Sequence, residues 1–249
     1  ELDAANVWVV VSSTAIGEKT GILANTWYVE VSPEIAVEHF AKLQASGEIE
    51  VAYPLVDKQM TPRWTPNDTY FSDQWHLENT GQDGGVSGED VNITGAWNDV
   101  LGTGIVIGIV DDGLEWDHAD LSANNESTLD YDYCNYDGDP TPSSWDAHGT
   151  AAAGVAAAIG NNGLGVSGAA PDASLAGLML IACGNSDSDE ANALSHLNND
   201  IDIYSNSWGP SDNGNVLQAP GPLMLAAFED DAYNGRNGLG NVITWAAGN

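Results

Sequence analysis

Apolar positions in this chain come mostly in short unbroken runs closed by glycine, asparagine or aspartate, the pattern of buried rather than half-exposed strands. The clearest run is residues 105–110, I-V-I-G-I-V, stopped by Asp111-Asp112-Gly113. Residues 174–182, 201–205 and 241–247 read as further strands. Helices are predicted over 94–100, 190–197 and 223–233, and a glycine-rich loop over 81–88. The stretch after His148, G-T-A-A-A-G-V-A-A-A-I, is apolar on every side, and a helix with no polar face is expected to be buried. Strands alternating with helices predict an α/β fold, a doubly wound parallel sheet covered on both faces.

Residues 1–63 follow a different pattern. Runs at 7–12 and 26–31 are β-rich, with turn residues between them. Ser32 and Pro33 then supply an N-cap and a first helical residue, Val37, Phe40 and Ala41 an apolar face, and Gly47 a stop. A strand is expected at 48–53 and a proline-bearing linker at 60–68. Strand, strand, helix, strand makes a small α+β module (1–63) ahead of a larger α/β unit (64–249). Its own core is too small to be comfortable alone.

Composition narrows the function. Thirty-seven acidic residues face five basic ones, a formal charge of −32. Such a chain repels polyanions, so nucleic acid is excluded as a partner, and its field gathers cations and basic peptides. A hydrophobic share of 43% with nine tryptophans marks a folded chain. No apolar run approaches the roughly 20 residues of a membrane span. A start at Glu1 without a signal-peptide pattern reads as processing or a fragment. Cys134 and Cys183 have no C-x-x-C spacing; a disulfide in a secreted protein and two buried thiols both fit them.

Two carboxyl groups at the mouth of a buried strand are costly to desolvate and should have partners. The carboxyl ends of strands are also where open α/β sheets place their chemistry. Asp111 and Asp112 stand there, although a solvated D-D-G turn would look the same in isolation. His148 opens the apolar helix. The positive end of the helix dipole disfavours a charged ring, and a neutral imidazole is what a general base requires. A capping or surface histidine is the plainer alternative.

Four segments in order resemble the subtilase superfamily: the Asp111-Asp112-Gly113 strand end, H-G-T-A-A-A-G from His148, N-S-W-G-P at 206–210 and W-A-A-G-N at 245–249. The closer resemblance is to its kexin/furin branch, through Ser207-Trp208-Gly209-Pro210-Ser211-Asp212 and the G-L-G at 238–240 that leads to Asn249. It covers 68–249 and implies a subtilisin-like sheet, incomplete here. By position, Asp111 would orient His148, His148 would take the nucleophile's proton, and the Asn249 amide would donate to the oxyanion. The order Asp…His…Ser is that of subtilisins. The serine itself, expected in a G-T-S-A-type motif, is absent; G-N-S, S-N-S and V-S-G do not match it. The chain alone is therefore expected to be inactive, with its own carboxyl-terminal catalytic part as a partner.

The resemblance also implies a preference for substrates with basic residues. Asp112 would pair the basic side chain next to the scissile one, Asp146 would be a second acid, and Glu190 would meet a more distant arginine. Ser207, Trp208, Gly209, Pro210, Asp212 and Trp245 would belong to the primary pocket. Guanidinium on carboxylate gives directional, charge-assisted bonds. Calcium is the expected metal, with hard oxygen donors. The loop I-G-N-N-G-L-G-V resembles the subtilase calcium loop, with Asn162 giving a side-chain oxygen, Ile159, Leu164 and Val166 carbonyls, and Asp68 and Asp120 completing the set. Asp132, Asp137 and Asp139 match a second loop, and Asp212 would join a third. Residues 1–63 sit where the family carries a pro-segment, with Arg63 as the cleavage point. The expected protein is a secreted or periplasmic, calcium-dependent serine endopeptidase cleaving after basic residues. Its rival is a non-catalytic, calcium-stabilised module that binds basic peptides.

Overall fold

The structure is a computed structural model that describes residues 64–211, 213, 215 and 218–248, together with 7–12, 26–30, 42, 45 and 49–54. The chain forms two compact units, Glu1–Pro62 and Arg63–Asn249. In the first, β1 (Val7–Ser12), β2 (Thr26–Glu30) and β3 (Ile49–Pro54) pair antiparallel in the order β2-β1-β3. Lys42 and Ala45 are helical. The rest of the helix expected at 32–47, the linker residues 60–63 and the Arg63 cleavage point lie outside the described residues.

The second unit is built on five parallel strands in the order β5-β6-β4-β7-β8. These are β4 (Val106–Asp111), β5 (Tyr131–Asp132), β6 (Ser174–Met179), β7 (Ile203–Asn206) and β8 (Val242–Trp245). The chain lays β5 and β6 on one side of β4 and β7 and β8 on the other, so the strand order switches at β4. In open α/β sheets the crevice at that switch, beyond the carboxyl ends of the strands, is where ligands bind. Register places Leu178, Val110, Asn206 and Trp245 in one row at that edge, with Asp111 and Met179 one residue further out.

Strand periodicity then assigns side chains to faces. Ile107 and Ile109 pack with Ala153, Ala157, Leu114 and Leu175 against α2 (His148–Ala157). Val110 packs on the opposite face with Leu178, Tyr204, Leu194 and Met224, against α3 (Asp187–Leu194) and α4 (Pro222–Tyr233). Between them sits Gly108, where a Cβ would press on Ile201, Leu178 and Tyr204 at 3.2–3.4 Å. A third cluster, Phe71, Leu77 and Trp97 with Trp64, anchors the segment before β4. There the Trp97 indole donates to the Ala169 carbonyl at 2.8 Å.

Edge strand β5 is not foreshadowed by the apolar pattern, and three helices differ from expectation. The helix predicted at 94–100 is the single turn α1 (Ile93–Ala96). Helix α3 begins three residues earlier than predicted. Ser186 Oγ accepts the Asp189 N–H while the Asp189 carboxylate accepts the Ser186 N–H, a capping box that sets the start. Helix α2 is not buried all round: Gly149, Ala153 and Ala157 face the sheet, but Val155 is 52% exposed and Ala151 is also exposed. An apolar sequence fixes no inner face, and the sheet covers only one side. Among the described residues no helix is long and apolar enough to cross a membrane.

Candidate active site

Asp111 is the last residue of β4 and shares the parity of Ile107 and Ile109, so its side chain leaves the sheet on the α2 side. Helix α2 starts with His148, and His148 Nδ1 meets Asp111 Oδ1 at 2.8 Å. Asp111 is fully buried, whereas the His148 side chain is 57% exposed, so one end of the pair is fixed and the other is open to a reactant. The approach depends on Gly149: a Cβ there would collide with the Gly113 carbonyl and press on the Asp111 side chain. Gly113 itself has φ of 134°, a left-handed turn that carries the chain away from the strand end.

Asp112 does not reach outward as expected. Its Oδ1 accepts the Gly149 N–H at 2.7 Å and its Oδ2 the His148 N–H at 3.1 Å. The residue before α2 is Ala147, which offers no side-chain cap, so Asp112 satisfies the free amides of the first turn from another segment.

These carboxylates reverse the dipole expectation for the imidazole. His148 is raised above its usual 6.5, first by the hydrogen bond to Asp111 and then by that group's charge, with Asp112 adding to it. Burial pushes the Asp111 carboxyl up, and the bonds from His148 and from the Asp112 N–H (2.8 Å) pull it part of the way back. With Nδ1–H donated to Asp111, Nε2 is left as the ring's acceptor, the tautomer a general base needs. Among the described residues no hydroxyl or thiol hydrogen-bonds the ring.

Along the same sheet edge, α3, α4 and the ends of β7 and β8 enclose a cavity of about 460 Å3. Glu190, Trp208, Gly209, Pro210 and Trp245 line it together. The Trp245 indole donates to the Trp208 carbonyl at 2.6 Å, and the two rings stand 4.6 Å apart. Glu190 is the cavity's carboxyl group, pushed up by burial and then by the charges of Asp187 and Asp189. Ser207 follows β7 but is not part of the lining, and Asp146 is bonded to Ser143 Oγ at 2.5 Å away from it. Asp212 and Asn249 lie outside the described residues.

Both carboxylates of the first expected metal loop reach loop 159–166. Asp68 Oδ2 accepts the Asn161 N–H at 2.7 Å and Oδ1 the Asn162 N–H at 3.2 Å. Asp120 accepts from Asn162 Nδ2 at 2.7 Å and from the Val166 N–H at 2.9 Å. Two buried carboxyl groups thus converge on loop 159–166, and a Cβ at Gly165 would collide with Asp120. The Asn162 oxygen, expected to point to the metal, instead accepts the Leu164 N–H at 2.7 Å. A set of two carboxylates, an amide and the carbonyls of Ile159, Leu164 and Val166 is all hard oxygen and fits calcium chemically.

The second loop is not gathered. Asp132 accepts from the Cys134 and Asn135 amides at 2.6 and 3.1 Å, and Asp139 from Thr141 N–H at 3.1 Å and from Thr141 Oγ1. Each carboxylate closes its own turn rather than sharing a centre. Among the described residues no group of three acidic, histidine or cysteine side chains could hold a metal.

One feature was left open between two alternatives in the sequence, and another went unread. Cys134 and Cys183 form a disulfide, 49 residues apart along the chain. Asp187 reaches across to the amino end of α4, which it caps. The legible signs were only Ser186-x-x-Asp189 and a Gly221-Pro222 helix start without a capping side chain.

Residues 102–249 match the subtilase family. The PC3-like endoprotease variant B of Hydra vulgaris is 45% identical over 188 residues, 74% of this chain and 26% of that protein. Neuroendocrine convertase 2 of Homo sapiens is 41% identical over 188 residues, 73% of this chain and 30% of that protein. The crystal structure of the serine protease of Aeromonas sobria superposes with a TM-score of 0.66 at 30% identity, over 78% of this chain and 35% of that one. The chain spans about a quarter to a third of the length of these relatives. The topological switch at β4, the Asp111–His148 pair beside it and this degree of identity agree: the chain belongs to the subtilase family, in its kexin/furin-like branch.

Proposed function

We propose that this chain is the pro-segment and amino-terminal catalytic part of a secreted, calcium-dependent serine endopeptidase that cleaves after basic residues. The observation that carries the reading is the 2.8 Å bond between buried Asp111 and exposed His148 at the strand-order switch. In the proposed reaction, His148 Nε2 takes the proton of a serine hydroxyl supplied by the carboxyl-terminal part of the same polypeptide. The serine oxygen then bonds to the peptide carbonyl carbon, and Asn249 donates to the oxyanion. Asp111 stabilises the imidazolium and keeps its own charge. As the C–N bond breaks, the proton passes from His148 to the departing amine; water, its proton taken by His148, then hydrolyses the serine ester and frees the hydroxyl.

A net charge of −32 and the Glu190 carboxyl in the side-chain cavity support basic peptides as substrates. Asp112 and Asp146 are engaged locally, so in this reading Glu190 carries more of the preference than the sequence alone indicated. Calcium belongs to the loop of Asp68, Asp120 and Asn162, where it supplies charge compensation for two buried carboxylates; the loop of Asp132, Asp137 and Asp139 is left out. The Cys134–Cys183 disulfide supports an oxidising compartment.

The test is hydrolysis of an arginine-ended chromogenic peptide by the full-length polypeptide, with His148→Ala as control. Turnover that depends on His148 is expected. Turnover that survives the substitution overturns the triad. Peptide binding with no turnover in the full-length form favours a binding module instead.

A further inference from the structure

Loop 180–187, which connects β6 to α3, is tied at both ends by groups that the proposed cleavage chemistry does not use. At its start, the Leu180 and Ile181 N–H groups donate to the Asp111 carbonyl at 2.8 and 3.1 Å, hanging the loop on the residue that holds His148. Cys183 then joins it to Cys134, in the turn after β5. At its end stands Asp187, the first residue of α3. Ile181, Asn185 and Glu190 carry this segment into the lining of the side-chain cavity.

The opposite wall is α4, which contributes Met224 and Phe228. Helix α4 starts from Gly221 and Pro222, which offer no side-chain oxygen to its free amides. Asp187 fills that need from across the gap: Oδ2 accepts the Leu223 N–H at 2.9 Å and Oδ1 the Met224 N–H at 3.1 Å. One carboxylate therefore lies at the positive ends of two helices at once. The fit is close enough that a Cβ at Gly221 would collide with all three outer atoms of the Asp187 carboxylate.

We infer that Asp187 is a positioning residue, which sets the distance between α3 and α4 and so the width of the cavity that selects a substrate side chain. The inference rests on reading the cavity as a peptide pocket. Asp187 needs no contact with the peptide: it locks Met224 and Phe228 opposite Glu190, while the disulfide holds the loop's other half. Glycine at 221 belongs to the same device.

The experiment compares two fluorescein-labelled peptides, Arg-Ala-Lys-Arg and Gly-Ala-Lys-Arg, by anisotropy on the full-length polypeptide. Wild type should favour the first. Asp187→Ala and Gly221→Ala should each lower that preference about fivefold, the equivalent of one lost helix cap. Binding of Gly-Ala-Lys-Arg should stay within about twofold, which also reports that the variants are folded. Asp187→Asn, which keeps one acceptor oxygen, should restore part of the preference. An unchanged preference in Asp187→Ala, or an equal loss for both peptides, overturns the positioning role and leaves the endopeptidase reading standing. A wild-type polypeptide that binds neither peptide overturns the basic-peptide reading, and the positioning role falls with it.

Discussion

His148 lies between two aspartates adjacent in sequence that do different things. Asp111, at the strand's last inward-facing position, bonds the ring; Asp112, one residue on, bonds the backbone of the helix that presents the ring. A one-residue change of parity separates the two roles. Because Asp111 raises His148 above 6.5, the ring should titrate above that value in the wild type and fall back in Asp111→Asn. The stabilisation from the pair is complete below pH 6.5 and is lost as pH rises through the folded-state value. Histidine NMR titration checks this, and a wild-type midpoint at or below 6.5 contradicts it. D-D-G and H-G-T were both legible as chemistry in the sequence. The direction of Asp112 was not, because it depends on which amides α2 leaves open beside it.

At the scale of elements, helix starts carry much of the unexpected structure. Helices α2 and α4 begin at residues without a capping side chain, and each is completed by an aspartate from elsewhere, Asp112 and Asp187. Such caps cannot be read from local motifs, since acceptor and donor lie 36 or 37 residues apart. The far end of α4 holds a second case. Asp231 is fully buried, accepts from Asn198 Nδ2 at 3.1 Å through one oxygen, and has no partner for the other among the described residues. Burial, with Asp230 adding its charge, pushes its carboxyl up to about 6. The folded state therefore holds this proton where the unfolded chain has released it, and stability should fall by about 3 kcal/mol as pH rises from roughly 4 to 6. In Asp231→Asn that loss should disappear. Urea unfolding of both proteins at the two ends of this range measures it, and a wild-type-to-variant difference that does not change with pH would count against it.

For the whole molecule the governing fact is an excess of acid, 37 residues against five basic ones. Spread over a surface, such charge is solvated; drawn inward, it needs compensation. Asp68 and Asp120 are drawn inward from positions 52 residues apart onto loop 159–166, which joins the segment before α1 to the end of α2. Calcium should therefore raise the melting temperature and excess chelator lower it, with the difference largely lost in Asp120→Asn. A melting temperature indifferent to both would remove the metal from the proposal. Asp132, Asp137 and Asp139 offered an equally acidic stretch in sequence, yet each is spent on its own turn. Acid count alone does not distinguish a centre from a row of turns.

By itself the sequence determined the parallel sheet, the family and the Asp111–His148 pairing. Short apolar runs alternating with helices favour a parallel sheet, and four ordered motifs are hard to satisfy any other way. Only the tertiary structure decided which face of α2 is covered, where Asp112 and Asp187 direct their carboxylates, that Cys134 meets Cys183, and which acidic loop converges. Each of these is an approach between segments far apart along the chain. Its outcome is set by which backbone amides and which volume a neighbour leaves open, and local spacing carries no record of that.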